Sequence, residues 1–316
     1  INISRFHAYK MDAHMAVGDA KASLEALASI LKSKGYSSSY TTEIQDAKQK
    51  WEEEMQRLAS IEYTGENFEP EISARDPRTI PEFVKLHDAK LTQTAALAAI
   101  NRTIDKSANI ITAGGSLPSC MQRMWKTDKR GGYHAEYGYS CMGYEVAACL
   151  GVKMAEPDNE VYCVVGDSSF LMLHSEIMTA QQERRKINVI VFDNCGFGCI
   201  NNLEMSHGIG SLATEFRYTD GKKPCEELIA VDYAKIGEGY GLKSYTCKTV
   251  DELIAALEDS KKQECSCLFD LKVIPKTMTD GYDAWWNVGL AEVSENAAVR
   301  SKFEELVEAR EQARRY

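Results

Sequence analysis

From about residue 88 onward, short and nearly continuous apolar runs alternate with amphipathic stretches. The runs Asn109–Ala113, Glu160–Val165, Ile187–Phe192, 243–247 and 267–274 read as strands. Their lack of polar alternation is what a parallel sheet covered on both faces requires. Between them the spacing turns helical: Leu91–Ile104, a helix opening after Gly143, and Phe170–Glu183 with apolar residues at 170, 173, 177 and 180. Further helical stretches lie near 231–240 and 250–260. Strands alternating with helices predict an α/β fold, a doubly wound parallel sheet with helices on both faces.

Ahead of residue 88 the pattern differs. Ile1-Asn2-Ile3 reads as a strand already under way, and Val17-Gly18-Asp19 leads into a helix through Leu24, Leu27 and Leu31. Residues 1–35 are therefore expected to be the tail of a second α/β domain whose body lies outside this chain. Residues 36–87 read as a linker: a polar opening, then a charged segment 43–60 with a sparse apolar stripe (Ile44, Trp51, Met55, Leu58). Pro70, Pro77 and Pro81 punctuate the loop-like run that follows. The expected form is one surface helix and an extended crossing. Residues 276–316, with Trp285-Trp286 and a charged terminal helix, read as a C-terminal extension beyond the 88–275 domain.

Composition narrows the classes of function. Asp and Glu number 47 against 37 Lys and Arg, a net charge of −10. Such a chain lacks the basic footprint that nucleic acid or an anionic membrane requires. An anionic ligand would have to be held by backbone N–H groups, helix N-termini or a metal ion. No run approaches the roughly 18 apolar residues of a membrane span. The ten cysteines are scattered through apolar stretches, among them Cys149, Cys163, Cys199 and Cys267. That distribution suits reduced thiols packing as small hydrophobes, and a cytoplasmic setting is expected. Cys195/Cys199 and Cys265/Cys267 lack the second half that a zinc site needs.

In a doubly wound sheet, ligands sit in the crevice at the carboxyl ends of the strands. Two expected strand ends carry suitable groups: Gly166-Asp167-Ser168-Ser169 and Asp193-Asn194-Cys195-Gly196. One β-α-β step separates Asp167 from Asn194, so neighbouring parallel strands bring them together. A carboxylate and an amide oxygen make a hard, all-oxygen pair suited to Mg²⁺. Gly166, Ser168 and Ser169 open a helix whose N–H groups face an anion. Singly, each tetrapeptide is as often a turn or an N-cap; jointly, they read as a device for a diphosphate.

Gly166-Asp167-Ser168 followed by Asp193-Asn194 resembles the thiamine-diphosphate signature, which usually reads Gly-Asp-Gly and ends Asn-Asn. Ser168 stands at the third position here, and Asp193 replaces the first Asn. The resemblance implies thiamine diphosphate and Mg²⁺ as cofactors, with Asp167, Asn194 and the main-chain carbonyl of Gly196 as metal ligands. Gly138-Tyr-Ser-Cys-Met-Gly143 is similar to the pyrimidine-binding loop of the acetolactate-synthase group. That likeness implies that Met142 wedges between the cofactor rings and that the Ser140 carbonyl accepts from the aminopyrimidine. Gly114 and Gly115 would line the diphosphate.

The strings Tyr137-Gly-Tyr-Ser-Cys-Met-Gly-Tyr-Glu145, Phe197-Gly-Cys-Ile-Asn-Asn-Leu203 and Thr214-Glu-Phe-Arg-Tyr218 resemble the trihydroxycyclohexanedione hydrolases of myo-inositol catabolism. Trp285-Trp286 and Ala291-Glu-Val-Ser294 do so too. The resemblance implies hydrolysis of a carbon–carbon bond in a cyclic 1,2-diketone, giving 5-deoxyglucuronate. It implies a homo-oligomer, dimer or tetramer, with the cofactor site at a subunit interface. Residues 1–35 would end a middle domain. An N-terminal pyrimidine-binding domain, absent from this chain, would supply the ylide-forming Glu. His134 and Glu136 are candidate catalytic residues, and Asn201 and Asn202 candidate substrate contacts. Two alternatives remain beside the hydrolase: an acetolactate-synthase-like carboligase, or a non-catalytic cofactor-binding piece. His134-Ala135-Glu136 also spells half of a zinc-deaminase motif, but no Pro-Cys-x-x-Cys follows.

Overall fold

The computed structural model describes residues 1–72, 77–221, 224–281 and 288–313, so the Trp285-Trp286 pair lies outside the described residues. The chain divides into two compact units, residues 1–53 with the segment from Val307, and Glu54–Leu306.

In the first unit, α1 (Phe6–Lys10) and α2 (Ala20–Ser33) precede the start of α3 (Thr42–Ala59), whose residues from Glu54 on belong to the second unit. Asp19 caps α2, its carboxylate accepting from Ala22 N at 2.8 Å. None of the α2 residues is buried. The strand expected at Ile1-Asn2-Ile3 is reduced to one bridge between Asn2 and Val17, because a ladder needs a neighbour to take its remaining N–H and C=O groups. The surface helix expected over 43–60 is α3, and Leu58 is its one buried residue.

The second unit opens with α4 (Thr79–His87), β1 (Leu91–Thr92), α5 (Gln93–Thr103), β2 (Asn109–Thr112), α6 (Ser116–Met124) and β3 (Tyr133–Ala135). It continues through α7 (Tyr144–Ala155), β4 (Val161–Gly166), α8 (Asp167–Met172), α9 (Glu176–Gln182), β5 (Asn188–Asp193) and α10 (Gly198–Ser206). A hairpin of β6 (Arg217–Thr219) and β7 (Pro224–Leu228) leads to α11 (Tyr233–Gly239), β8 (Lys243–Cys247), α12 (Val250–Ser260) and β9 (Cys267–Ile274). The terminal helix α13 spans Ala297–Gln312.

Among the described residues, seven strands form one parallel sheet in the order β1-β9-β5-β4-β2-β3, with β8 also pairing β9. Alternate residues of β5 face opposite ways. Ile190 and Phe192 pack with Leu97, Ile100, Leu253 and Leu257 of α5 and α12. Val189 and Val191 pack with Val146, Leu150, Ile177 and Tyr233 of α7, α9 and α11. The doubly wound arrangement read from the sequence is thus the one observed.

Three local expectations are corrected. The helix expected from Leu91 starts at Gln93, because Leu91 and Thr92 pair with Val273 and Ile274 as an edge strand. Thr92 then caps α5 through Ala95 N. The single helix expected over 170–183 is two, broken at Leu173, whose φ of −154° and ψ of 71° are not helical. The loop-like run through Pro81 contains the start of α4, where proline in the first turn costs no hydrogen bond. The nine cysteines whose side chains are described are free thiols. No helix among the described residues is long and apolar enough to cross a membrane.

Candidate cofactor site

Parallel pairing sets Gly166 beside Phe192, so the chain leaves β4 at Asp167 and β5 at Asn194 from adjacent strand tips. Asp167 is 1% exposed. Its Oδ1 accepts from Ser168 N at 2.6 Å, and its Oδ2 accepts from Gly196 N at 2.9 Å and Asn194 N at 3.2 Å. One carboxylate therefore ties the two turns together. Burial, and then the neighbouring Asp193 charge, push the Asp167 carboxyl well above the ordinary carboxylate range. Oδ1 of Asn194 is buried and accepts no hydrogen bond from the described residues. A buried amide oxygen without a donor costs about 1–3 kcal/mol unless something fills the place. A carboxylate and an orphaned amide oxygen at adjacent strand tips fit a hard divalent cation. A cation would also relieve the Asp167 charge.

Above these tips opens a cavity of about 480 Å³. It is lined by Gly114, Gly115, Ser140, Met142, Gly166, Asp167, Ser168, Ser169, Asn194 and Gly196. Ten positions scattered over 83 residues of sequence thus share one chamber, large enough for a cofactor-sized ligand. Gly114 is needed there for close approach. A Cβ on it would fall 2.8 Å from Ser140 Oγ, 2.9 Å from Ser140 O and 3.1 Å from Met142 Cγ. Its missing side chain is what seats the 137–142 loop against the end of β2.

Ser169 is placed differently from a simple anion contact. Its hydroxyl donates to Glu145, 2.9 Å away, and accepts from Gly143 N at 2.8 Å. Glu145 is 1% exposed, and burial raises its carboxyl above the usual range. Together they anchor the end of the Met142 loop. Glu136 holds the start of it: its carboxylate accepts from Tyr139 N at 3.1 Å and Cys141 N at 2.5 Å. Those two donors keep the Glu136 carboxyl below its ordinary value.

The substrate candidates lie outside the cavity lining. His134 sits on β3 beside Ile111, with Nε2 buried and without a partner among the described residues. Asn201 donates to Ser211 and Thr214 at 2.9 and 3.0 Å and accepts from Lys276. Asn202 also accepts from Lys276, at 2.6 Å. Both amides are engaged by the protein itself.

Several residues of the site have no signature in the sequence. Gln93 and Phe192 line the cavity. A Cβ on Gly198 would come 2.9 Å from Asn194 Nδ2, so its absence makes room for that side chain. Beneath the loop, Asp193 receives Lys272 Nζ at 2.6 Å and is buried with it. Burial acts to lower the Lys272 ammonium, but Asp193 and Asp270 outweigh it and hold it above its ordinary value. Spelling gave no hint of this pair; only the in-register pairing of β5 with β9 sets the two residues side by side.

Comparison with known proteins agrees with this geometry. Residues 113–271, about half of the chain, match the family described as thiamine pyrophosphate enzyme, C-terminal TPP binding domain. A protein of Clostridium perfringens (strain 13 / Type A) named 3D-(3,5/4)-trihydroxycyclohexane-1,2-dione hydrolase is 57% identical over all of this chain and 50% of its own length. Proteins of the same name from Clostridium botulinum (strain Alaska E43 / Type E3) and Geobacillus thermodenitrificans (strain NG80-2) are 55% and 52% identical, over all of this chain and 49% of theirs. The chain therefore spans about half the length of the curated relatives it matches. With its doubly wound sheet, paired strand tips and cofactor-sized chamber, the chain belongs to the thiamine pyrophosphate enzymes and carries their C-terminal TPP binding domain.

Proposed function

We propose that this chain forms the diphosphate- and Mg²⁺-binding part of a hydrolase that opens the ring of 3D-(3,5/4)-trihydroxycyclohexane-1,2-dione to 5-deoxyglucuronate in myo-inositol catabolism. The observation that carries the reading is the pair of Asp167 and the orphaned Asn194 Oδ1 at neighbouring strand tips under the cavity. The shared name of relatives 52–57% identical along the whole chain supports the substrate.

In this reading Asp167, Asn194 and the Gly196 carbonyl hold Mg²⁺, and Gly114, Gly115, Gly166 and Ser168 line the diphosphate. Thiamine diphosphate, when bound, supplies a thiazolium electron sink for breaking the bond next to a carbonyl. The chain's own residues bind, orient and stiffen. Met142 stands in the cavity wall at the tip of a loop pinned by Glu136 at one end and by Ser169 with Glu145 at the other. This pinning fixes the wall before any ligand arrives. Glu136 thus acts on the loop, and His134 stands one strand away from the chamber. Leu171, Met172 and Leu173 beside the site are exposed, which supports a homo-oligomer with the site at its interface. The free thiols support a cytoplasmic setting.

The test is calorimetry of thiamine diphosphate with Mg²⁺ on the full-length protein, against an Asp167→Ala variant. Metal-dependent binding should vanish in the variant; unchanged affinity overturns the site. Incubation with the cyclic diketone should yield a ring-opened acid. A 2-hydroxy ketone from pyruvate instead would make the protein a carboligase.

A further inference from the structure

The turn carrying Asn194 and Gly196 is held in an unfavourable shape. Cys195 has φ +58°, in the left-handed region that non-glycine residues seldom adopt. Three hydrogen bonds keep it there: Gly196 N to Asp167, Phe216 N to the Cys195 carbonyl at 2.7 Å, and Cys195 N to Asp193 Oδ1 at 3.0 Å. The third depends on a buried acid, since Asp193 is 1% exposed. Its other oxygen, Oδ2, receives the Lys272 ammonium at 2.6 Å.

Lys272 is itself 5% exposed and further donates to Val231 O at 2.8 Å and meets Asp270 Oδ1 at 2.9 Å. Asp193 and Lys272 are register partners on adjacent parallel strands, so their side chains leave the sheet on one face. Asp193 also comes within 4.8 Å of His87 and Cys195, a grouping that could suggest a second metal site. The ammonium already occupies the cation's place on Asp193.

We propose that Lys272 is a positioning residue for the cation-binding turn: it neutralises Asp193, so that this carboxylate grips Cys195 N rather than competing with Asp167 and Asn194 for the divalent ion. The proposal rests on the reading of Asp167 and Asn194 as cation ligands. An unneutralised Asp193 lies one residue from Asn194 and would draw a dication toward itself. Asp270 is two residues earlier on its strand, keeps Tyr233 N at 3.1 Å, and opposes Val191 rather than the turn.

The experiment measures Mg²⁺-dependent thiamine diphosphate affinity and Mn²⁺ affinity in the full-length protein. It compares wild type with Lys272→Met, Asp193→Asn, the double variant and Asp167→Ala. Circular dichroism fixes the folded fraction. In Lys272→Met both affinities should fall about tenfold or more, the usual scale for outer-shell changes at metal sites. In the double variant, the amide that replaces the Asp193 carboxylate can still accept from Cys195 N without a charge. Affinity there should return to within about threefold of Asp193→Asn.

Wild-type affinity in folded Lys272→Met overturns the proposal, as does a double variant as weak as Lys272→Met. A purely structural lysine would lower stability and leave the affinities of the folded fraction unmoved. If Lys272→Met does not fold, the comparison of the double variant with Asp193→Asn decides: a further tenfold loss overturns the proposal. Asp167→Ala keeps the two readings apart, because wild-type affinity there sinks the cation site itself.

Discussion

A Gly198→Ala substitution would put one methyl group against a single side chain of the site. Its Cβ would lie 2.9 Å from Asn194 Nδ2, 3.6 Å from Asn194 Cγ and 3.5 Å from Met278 Cε. Only the first distance is too short. To reach ordinary contact the amide must retreat by about 0.5 Å, whereas ligand distances at a metal site hold to within ~0.2 Å. The backbone itself tolerates the change, for Gly198 is the first residue of α10 and is not among the glycines with positive φ. Alanine for glycine in a helix is worth about 0.5–1 kcal/mol in favour of the fold.

Stability and cation binding should therefore move in opposite directions. We expect unfolding of the metal-free full-length protein at an equal or higher temperature. Mg²⁺-dependent thiamine diphosphate affinity should weaken about tenfold, some 1.4 kcal/mol. Scanning fluorimetry and calorimetry read the two quantities. A variant with unchanged affinity would show that the Asn194 amide takes no part in holding the ion. A fall in both quantities would show that the methyl group disturbs the scaffold and not one ligand.

Two further outcomes follow from the same geometry. Glu136→Ala frees the N–H groups of Tyr139 and Cys141, so hydrogen exchange at those amides should accelerate and cofactor affinity drop several-fold. Since the Glu136 carboxyl lies below its ordinary value, the clamp holds above that value and is lost as pH falls through the lowered one; unchanged exchange refutes the clamp. Burial raises Asp270 from 3.8 to about 6. Its contribution to stability is complete below the unfolded value and lost as pH rises through about 6, an effect of order 3 kcal/mol. Asp270→Asn should flatten the melting temperature between pH 4 and about 6.5, and parallel profiles for variant and wild type would refute the assignment.

The layered fold and the strand-tip pair proposed to hold a cation were legible in the sequence because the signals for both are local. A strand covered on two faces must be a continuous apolar run, as Ile187–Phe192 is, and a helix must repeat its apolar face every three or four residues. Asp167 and Asn194 each end such a run, and parallel pairing of the two strands follows from the order of elements. The break at Leu173 escaped because periodicity persists across it: Phe170 and Ile177 are both buried although they belong to different helices. The edge strand at Leu91 escaped because its partner, Val273, lies far along the chain.

Beyond the local Glu136 clamp, what holds the site was decided by tertiary structure. Lys272 meets Asp193 across 79 residues, Ser169 meets Glu145 across 24, and Lys276 reaches Asn202 across 74. Nothing in a lysine at position 272 marks it as buried, since lysine on a strand is ordinarily solvated. Its partner exists only once two distant strands are hydrogen-bonded in register. The sequence determined which groups stand at the strand tips; the packed sheet decided which charges neutralise them and which amides are left free to bind.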